Sequence, residues 1–278
     1  MISAAIPSHT PKYIYLSDRP YAETIWLSDL QYKVAQATGF AEDSDIALVA
    51  CKTDSSSAYL DEIVQWEALR FNLSVPVHAT QIREKYFTYD VGYKEFLAPA
   101  VVDHLEAFRK TDDFKTLKDE FDFISDYKAE WVGAPHIPVF VCTDVVCIRS
   151  GHVLLVRRKH SPGKGLWAFP GGFLGQNELV IDSAIRELKE ETSIALTKSE
   201  LKKAITESRV FDSVGRSLRG RTISHAYCIN LGSGKLDRIR ANDDAIDTRW
   251  FPVDEALSME EEMFEDHHAI LQFFINRA

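Results

Sequence analysis

The segment "GGFLGQNELVIDSAIRELKEETSI", Gly171 to Ile194, constrains the chain more than any other. A glycine pair leads into apolar residues at helical spacing, and Glu187, Glu190 and Glu191 follow within five positions. Ile181, Ala184, Ile185 and Leu188 recur at i, i+3, i+4 and i+7. This predicts a helix over 178–191 with those four as its buried stripe. On that helix Glu187 and Glu191 are neighbours at four residues, and Glu190 lies three from Glu187. Arg186 can pair with Glu190 at i, i+4, and the other like charges repel in water by about a few tenths of a kcal/mol per pair. A hard divalent cation such as Mg²⁺ reverses that sign, because carboxylate oxygens are its preferred ligands and it commonly binds together with substrate phosphates. The chemistry such a cluster suits is metal-assisted attack at a phosphoryl centre. A solvated Glu- and Lys-rich helix face is the plain alternative, and the cluster alone does not separate the two.

The spacing does. After Gly172 come five residues and Glu178, then seven residues and Arg186-Glu187-Leu188-x-Glu190-Glu191. This resembles the Nudix box, G-x5-E-x7-R-E-U-x-E-E-x-G-U, where U is a bulky aliphatic. Every charged position matches, and Ile194 fits the final aliphatic one. Ser193 stands where the pattern has glycine, which puts the loop geometry after the helix in question. The resemblance implies a hydrolase of nucleoside diphosphates linked to another group, dependent on Mg²⁺ or Mn²⁺. It assigns Glu187, Glu190 and Glu191 as metal ligands or catalytic base, with a backbone carbonyl near Gly171 as a further ligand. Glu178 and Arg186 would hold the loop of Gly172 against the helix. A later carboxylate, Asp243, Asp244, Glu262 or Glu265, is an alternative source of the base.

Net charge is −10 over 278 residues, which argues against a broad nucleic-acid or anionic-membrane surface. Against that background the basic clusters flanking the box stand out. "LLVRRKHSPGKGLWAFPGG" carries Arg157, Arg158, Lys159 and Lys164, and "SVGRSLRGRTISHAY" carries Arg216, Arg219 and Arg221. Arginine grips phosphate bidentately, so such clusters suit a diphosphate, with Arg157, Arg216, Arg219 and Arg221 as the candidate substrate-binding residues. Trp167 and Phe169 could stack a base, although aromatics in an apolar strand more often belong to a core. The four cysteines form no C-x-x-C pair and read as reduced thiols. No run approaches a membrane span, and "MISAAIPSHTPK" is a poor signal peptide, so a cytoplasmic location is expected.

The helix breakers in "EWVGAPHIPVF" divide the chain into residues 1–131, a linker 132–138 and residues 139–278. The second part reads as α+β, with a mixed sheet sandwiched by helices in the Nudix manner. Its first strands meet in a hairpin at Ser150-Gly151. The first part alternates strands and helices and reads as α/β. "YKAEW", "GRSLRGRTISHA", "MFEDHHAILQFF" and "HATQIREKYF" extend the resemblance. They are similar to the bifunctional proteins that join a nicotinamide mononucleotide adenylyltransferase domain to a C-terminal Nudix ADP-ribose pyrophosphatase. That resemblance implies ADP-ribose as substrate, with AMP and ribose 5-phosphate as products. It also makes the first part a partial nucleotidyltransferase-like (Rossmann-type) domain. The G-R-F-x-P-x-H-x-G-H segment of such domains has no match in residues 1–60, and His9 is a lone histidine. By the same resemblance Thr80 and Arg83 would belong to a vestigial nucleotide site, with Trp26 and "CKTDSSSAY" on the mononucleotide side. Without the paired histidines, weak or no adenylyl transfer is expected. An enzyme that also makes NAD, and a sensor that binds without hydrolysing, are the alternatives. The expected partner is a small-molecule nucleotide, with a homodimer left open.

Overall fold

A computed structural model describes residues 11–40, 42–51, 63, 65–72, 78–242 and 244–276. His9, Asp243 and most of "CKTDSSSAY" lie outside the described residues. The chain gathers into two compact units, Met1–Lys118 and Asp119–Ala278. No helix among the described residues is long and apolar enough to cross a membrane.

In the first unit, α1 (Glu23–Thr38) ends at Gly39, which takes φ 73 and so closes the helix in the left-handed region. Leu27, Leu30 and Val34 of α1 pack against Ile63, Trp66 and the strand β1 (Ala47–Cys51). β1 pairs in parallel with β2 (Glu67–Phe71), the two-stranded core of an α/β arrangement. A second cluster is aromatic: Tyr86 from α2 (Ala79–Phe87), Tyr93 and Phe114, with Leu105 and Phe108 of α3 (Pro99–Phe108) against it.

Helix α4 (Asp112–Ala129) runs across the division between the units. Its start is capped by Thr111, whose Oγ1 accepts from the Phe114 N–H at 3.2 Å. Its second half belongs with the second unit: Glu120 Oε1 accepts from the Gly163 N–H at 2.7 Å, and Tyr127 packs on Phe140. The Gly133–Pro138 break therefore lies within the second unit, beyond the point where the chain divides.

The second unit is a seven-stranded mixed sheet. β3 (Phe140–Arg149) is parallel to β8 (Thr222–Asn230) and antiparallel to β4 (His152–Arg158) and β6 (Gly171–Phe173). β4 also pairs with β5 (Trp167–Ala168) and β9 (Ala245–Pro252), and β7 (Ile205–Phe211) flanks β8. The β3–β4 hairpin turns on Ser150 and Gly151, both at positive φ, the I′-like geometry that follows strand twist.

Helix α5 (Val180–Thr192) covers one face of this sheet. Ala184, Ile185 and Leu188 bury against Val145, Cys147, Leu154 and Ile229, and each large apolar side chain contributes about 1.5–3 kcal/mol. Ile181 packs at the edge of the same cluster. The short α6 (Lys198–Lys203) starts from a Thr197–Glu200 capping box. After β9 come α7 (Val253–Ser258) and α8 (His267–Ile275).

Ser193 ends α5 at φ 52, ψ 27, a left-handed conformation that the Nudix pattern fills with glycine. A side chain there costs about 1–2 kcal/mol, part of which glycine would lose again in unfolded-state entropy. Ser193→Gly is therefore expected to stabilise the second unit by about 0.5–1 kcal/mol. A denaturant midpoint that falls instead would contradict the strain.

Candidate active site

Arg186 ties the glycine-rich turn to α5. Its Nε and Nη2 donate to the two carboxylate oxygens of Glu178 at 3.0 and 2.7 Å. The Gly175 N–H adds a third bond to Glu178 at 2.8 Å. These donors hold the Glu178 carboxyl down at about 2, with Arg186 the first cause. Arg186 Nη1 goes on to Glu187 Oε1 at 2.8 Å and Glu190 Oε2 at 2.9 Å. One guanidinium thus offsets the mutual repulsion of three carboxylates.

The three box glutamates do not share one environment. Glu191 is 7% exposed and accepts from the Gly171 N–H at 3.0 Å. Burial is the main cause that pushes its carboxyl up to about 8, and the nearby Glu187 charge adds to it. Glu187 faces Gly172 so closely that a Cβ there would stand 2.5 Å from its Oε1. Glu190 has a half-exposed side chain directed to Arg186.

Glu187 and Glu191 line a cavity of about 320 Å³, together with Gly171, Gly172 and Arg186. Glu190 is not among its lining residues. Of the candidate arginines, Arg216 and Arg219 line this cavity and Arg157 and Arg221 do not. Arg157 is exposed and donates to the Gly165 carbonyl at 2.9 Å. Arg221 donates to the Asp212 and Ser213 carbonyls. Arg158 takes the cavity position that Arg157 lacks, with its guanidinium 4.0 Å over the Phe264 ring. Trp167 and Phe169 are core residues, the first against Phe251 and the second stacked on His267.

A buried polar network floors the cavity. Arg216 forks onto Asp266 at 2.9 and 2.7 Å. Asp144 accepts from the Ser224 hydroxyl and lies 3.9 Å from Arg216 Nη2 and 3.7 Å from His267 Nε2. His267 Nδ1 accepts from the Phe169 N–H at 2.9 Å, so the neutral ring carries its proton on Nε2, toward Asp144. Sequence reasoning singled out none of Asp144, Asp266 or His267, and it named Arg158 only as a member of the basic cluster before the glycines. For Asp144 a signal existed: it is the lone charge in the apolar run "VFVCTDVVC". Of the later carboxylates, Asp244 and Glu265 line the cavity and Glu262 does not. Glu265 is half-buried at φ 48, and desolvation pushes its carboxyl up.

In the first unit Trp26 lines a shallow cleft with Asp18, Arg19, Pro20 and Glu23. Thr80 and Arg83 meet elsewhere, on exposed turns of α2, with Arg83 Nη2 donating to Thr80 Oγ1 at 3.5 Å. Neither lines the Trp26 cleft.

Among the described residues no three His, Cys, Asp or Glu side chains stand together as a ready-made metal cage. Of the box residues, Glu187, Glu191 and Gly171 line the cavity, and their carboxylate and backbone oxygens make an all-oxygen set. That set fits Mg²⁺ or Mn²⁺, which bind through one or two carboxylates and complete their shell with water and phosphate. The raised Glu191 acid fits as well, since a buried carboxylate is stable only with a cation beside it.

Residues 140–274 match the NUDIX domain model. An ADP-ribose pyrophosphatase of Methanocaldococcus jannaschii is 33% identical over 113 residues, which are 41% of this chain and 62% of that protein. This chain thus spans less than two thirds of that relative. A bifunctional NMN adenylyltransferase/ADP ribose pyrophosphatase from Francisella tularensis is 31% identical, with a TM-score of 0.87. That match covers 99% of this chain and 83% of the other. A second structure, of such an enzyme from the same organism complexed with AMP and a manganese ion, is 33% identical over 94% of this chain and 77% of that one, with a TM-score of 0.84. With the acidic box complete in charge and the fold shared along nearly the whole chain, the protein belongs to the Nudix hydrolase family, in the branch where a nucleotidyltransferase-like half precedes the Nudix domain.

Proposed function

We propose that the protein hydrolyses the diphosphate of ADP-ribose to AMP and ribose 5-phosphate, in the turnover of NAD-derived nucleotides, with Mg²⁺ or Mn²⁺ as cofactor. The observation that carries this reading is the mixed lining of one cavity. Carboxylates Glu187 and Glu191 stand against Gly171 and Gly172 of β6, and Arg158 and Arg219 line the same space. A diphosphate with its divalent ion needs both kinds of partner in one place. Glu187, Glu191 and the Gly171 carbonyl would hold the ion, with Glu190 steadying Arg186 from outside the cavity. When bound, such an ion polarises a phosphoryl oxygen and lowers the pKa of an attached water. Arg219 would grip the diphosphate, while Arg216, already forked onto Asp266, would hold the floor. Asp244 or Glu265 would take the proton of the attacking water. The relatives' names support the substrate: both a 33% identical archaeal protein and the Francisella enzyme are ADP-ribose pyrophosphatases. The four free thiols suit a reducing cytoplasm.

Purified protein given ADP-ribose and MgCl₂ is expected to release AMP and ribose 5-phosphate, and excess EDTA to stop it. ATP with nicotinamide mononucleotide is expected to give no NAD. Intact ADP-ribose after prolonged incubation with either metal would overturn the reading.

A further inference from the structure

The motif "YKAEW", Tyr127 to Trp131, precedes the NUDIX domain match and has no part in the hydrolytic site described above. The structure nevertheless links it, through two further rings, to the cavity lining. Tyr127 and Trp131 both pack on Phe140, with ring centroids 5.7 and 5.4 Å apart. Phe140 in turn meets Phe173 at 5.7 Å. Phe173 lines the cavity, and the Arg219 guanidinium lies 5.0 Å over its ring. The row is thus continuous from the second half of α4, through the first residue of β3, to β6 and the arginine loop. Gly220 seals it on the loop side, since a Cβ there would touch Phe140 at 3.3 Å. Glu120, one end of the same helical segment, fixes the Gly163 loop by accepting its N–H.

Two rings of the row keep open faces: Trp131 and Phe173 are each 38% exposed. Trp167 is buried away from the cavity, and Phe169, although it lines the cavity, is 2% exposed and already stacked on His267. Aromatic faces beside a guanidinium are the surface that a nucleobase stacks on, and every base has a π-face to offer. The charge of Arg219 also acts on the Tyr127 phenol, against the upward push of burial, which ties the helix electrostatically to the same arginine.

We propose that the segment Asp119–Trp131 is part of the Nudix site, and that Trp131 and Phe173 form its nucleobase-stacking wall. This rests on the reading of the substrate as a nucleotide diphosphate. Phe173 and Arg219 then join the two ends of that substrate: the base leans on the aromatic row while its diphosphate enters among Arg219, Arg158 and the box carboxylates. The helical segment that opens the second unit thereby sets specificity for the site in that same unit.

The test uses the full chain and two ligands, AMP and ribose 5-phosphate, titrated by calorimetry with Mg²⁺. Trp131→Ala is expected to weaken AMP about tenfold or more, within the range for loss of one stacking partner, and to leave ribose 5-phosphate unchanged. Trp131→Phe, which restores a π-face, is expected to recover most of the loss. KM for ADP-ribose should rise in Trp131→Ala with kcat within about twofold. Unaltered melting separates these effects from unfolding, and Phe173→Ala supplies an independent variant of the same wall. AMP affinity unchanged in both alanine variants overturns the wall, as does equal weakening of AMP and ribose 5-phosphate. If wild-type protein binds AMP through Trp131 yet leaves ADP-ribose intact, the wall stands and the hydrolytic reading fails.

Discussion

Glu191→Gln is expected to lower kcat/KM for ADP-ribose about 10³-fold or more while leaving the fold intact. The two halves of this expectation come from the same geometry. Glu191 is buried against Gly171, and burial raises its carboxyl to about 8, so without a cation the neutral acid dominates near pH 7. Glutamine copies the shape and charge of that acid, and its carbonyl can still accept the Gly171 N–H. Thermal melting should therefore move little. What glutamine cannot supply is a negative oxygen in a dry cavity. Metal-linked charge stabilisation is worth several kcal/mol, and each 1.36 kcal/mol is a factor of ten in rate. Glu190→Gln is the internal comparison. Its side chain is 46% exposed and directed to Arg186 outside the cavity, so its loss is expected to be at least tenfold smaller. Steady-state rates with matched Mg²⁺ decide the matter. Turnover in Glu191→Gln within tenfold of wild type would remove Glu191 from the chemistry, and equal losses in both variants would return Glu190 to it.

The acidic helix was legible in the sequence because its evidence is local. The apolar stripe at Ala184, Ile185 and Leu188 needs only the helical period to be seen, and the structure buries all three. The left-handed turn at Ser193 was legible for the same reason, as a departure from a pattern at a fixed place. Which glutamate faces the cavity was not legible. Glu187, Glu190 and Glu191 are alike in sequence, and only the position of β6 separates the buried Glu191 from the exposed Glu190. Arg157 and Arg158 show the same limit in a strand. Val153 to Val156 are all buried, so the apolar run has no alternation to reveal which of the next two residues turns inward. The floor network was hidden for another reason. Asp144, Arg216, Asp266 and His267 come from distant parts of the chain, and each alone reads as an ordinary polar residue. In the first half, Thr80, Arg83 and Trp26 were joined by resemblance alone, and the structure lines the Trp26 cleft with neither of the other two, which meet on exposed turns of α2.

Gly171→Ala is expected to destabilise the second unit by about 3 kcal/mol and to abolish most activity, whereas Gly172→Ala is expected to cost mainly activity. The neighbours of the added Cβ make the difference. At Gly171 it would sit well inside van der Waals contact with the Thr143 carbonyl oxygen and 2.8 Å from Asp144 Oδ1. Thr143 belongs to β3, the strand that pairs with β6 through Asp144 and Gly171, so the backbone cannot give way without opening that ladder. Overpacking against fixed backbone costs about 1–3 kcal/mol or more. For a unit of this size that is a fall in melting temperature of about 6–12 °C. The displaced Gly171 N–H would also release Glu191, which couples the packing defect to the chemistry. At Gly172 the obstacle is the Glu187 carboxylate, the mobile end of a side chain, at 2.5 Å. That group can swing aside at little cost in stability, but in doing so it leaves the cavity edge where the ion would be held. Melting and rate measured on both variants should therefore separate: Gly171→Ala loses both, and Gly172→Ala loses rate with melting nearly kept. If Gly172→Ala keeps wild-type kcat/KM, the position of Glu187 beside β6 is not needed for hydrolysis, and Glu191 must hold the ion with ligands other than Glu187.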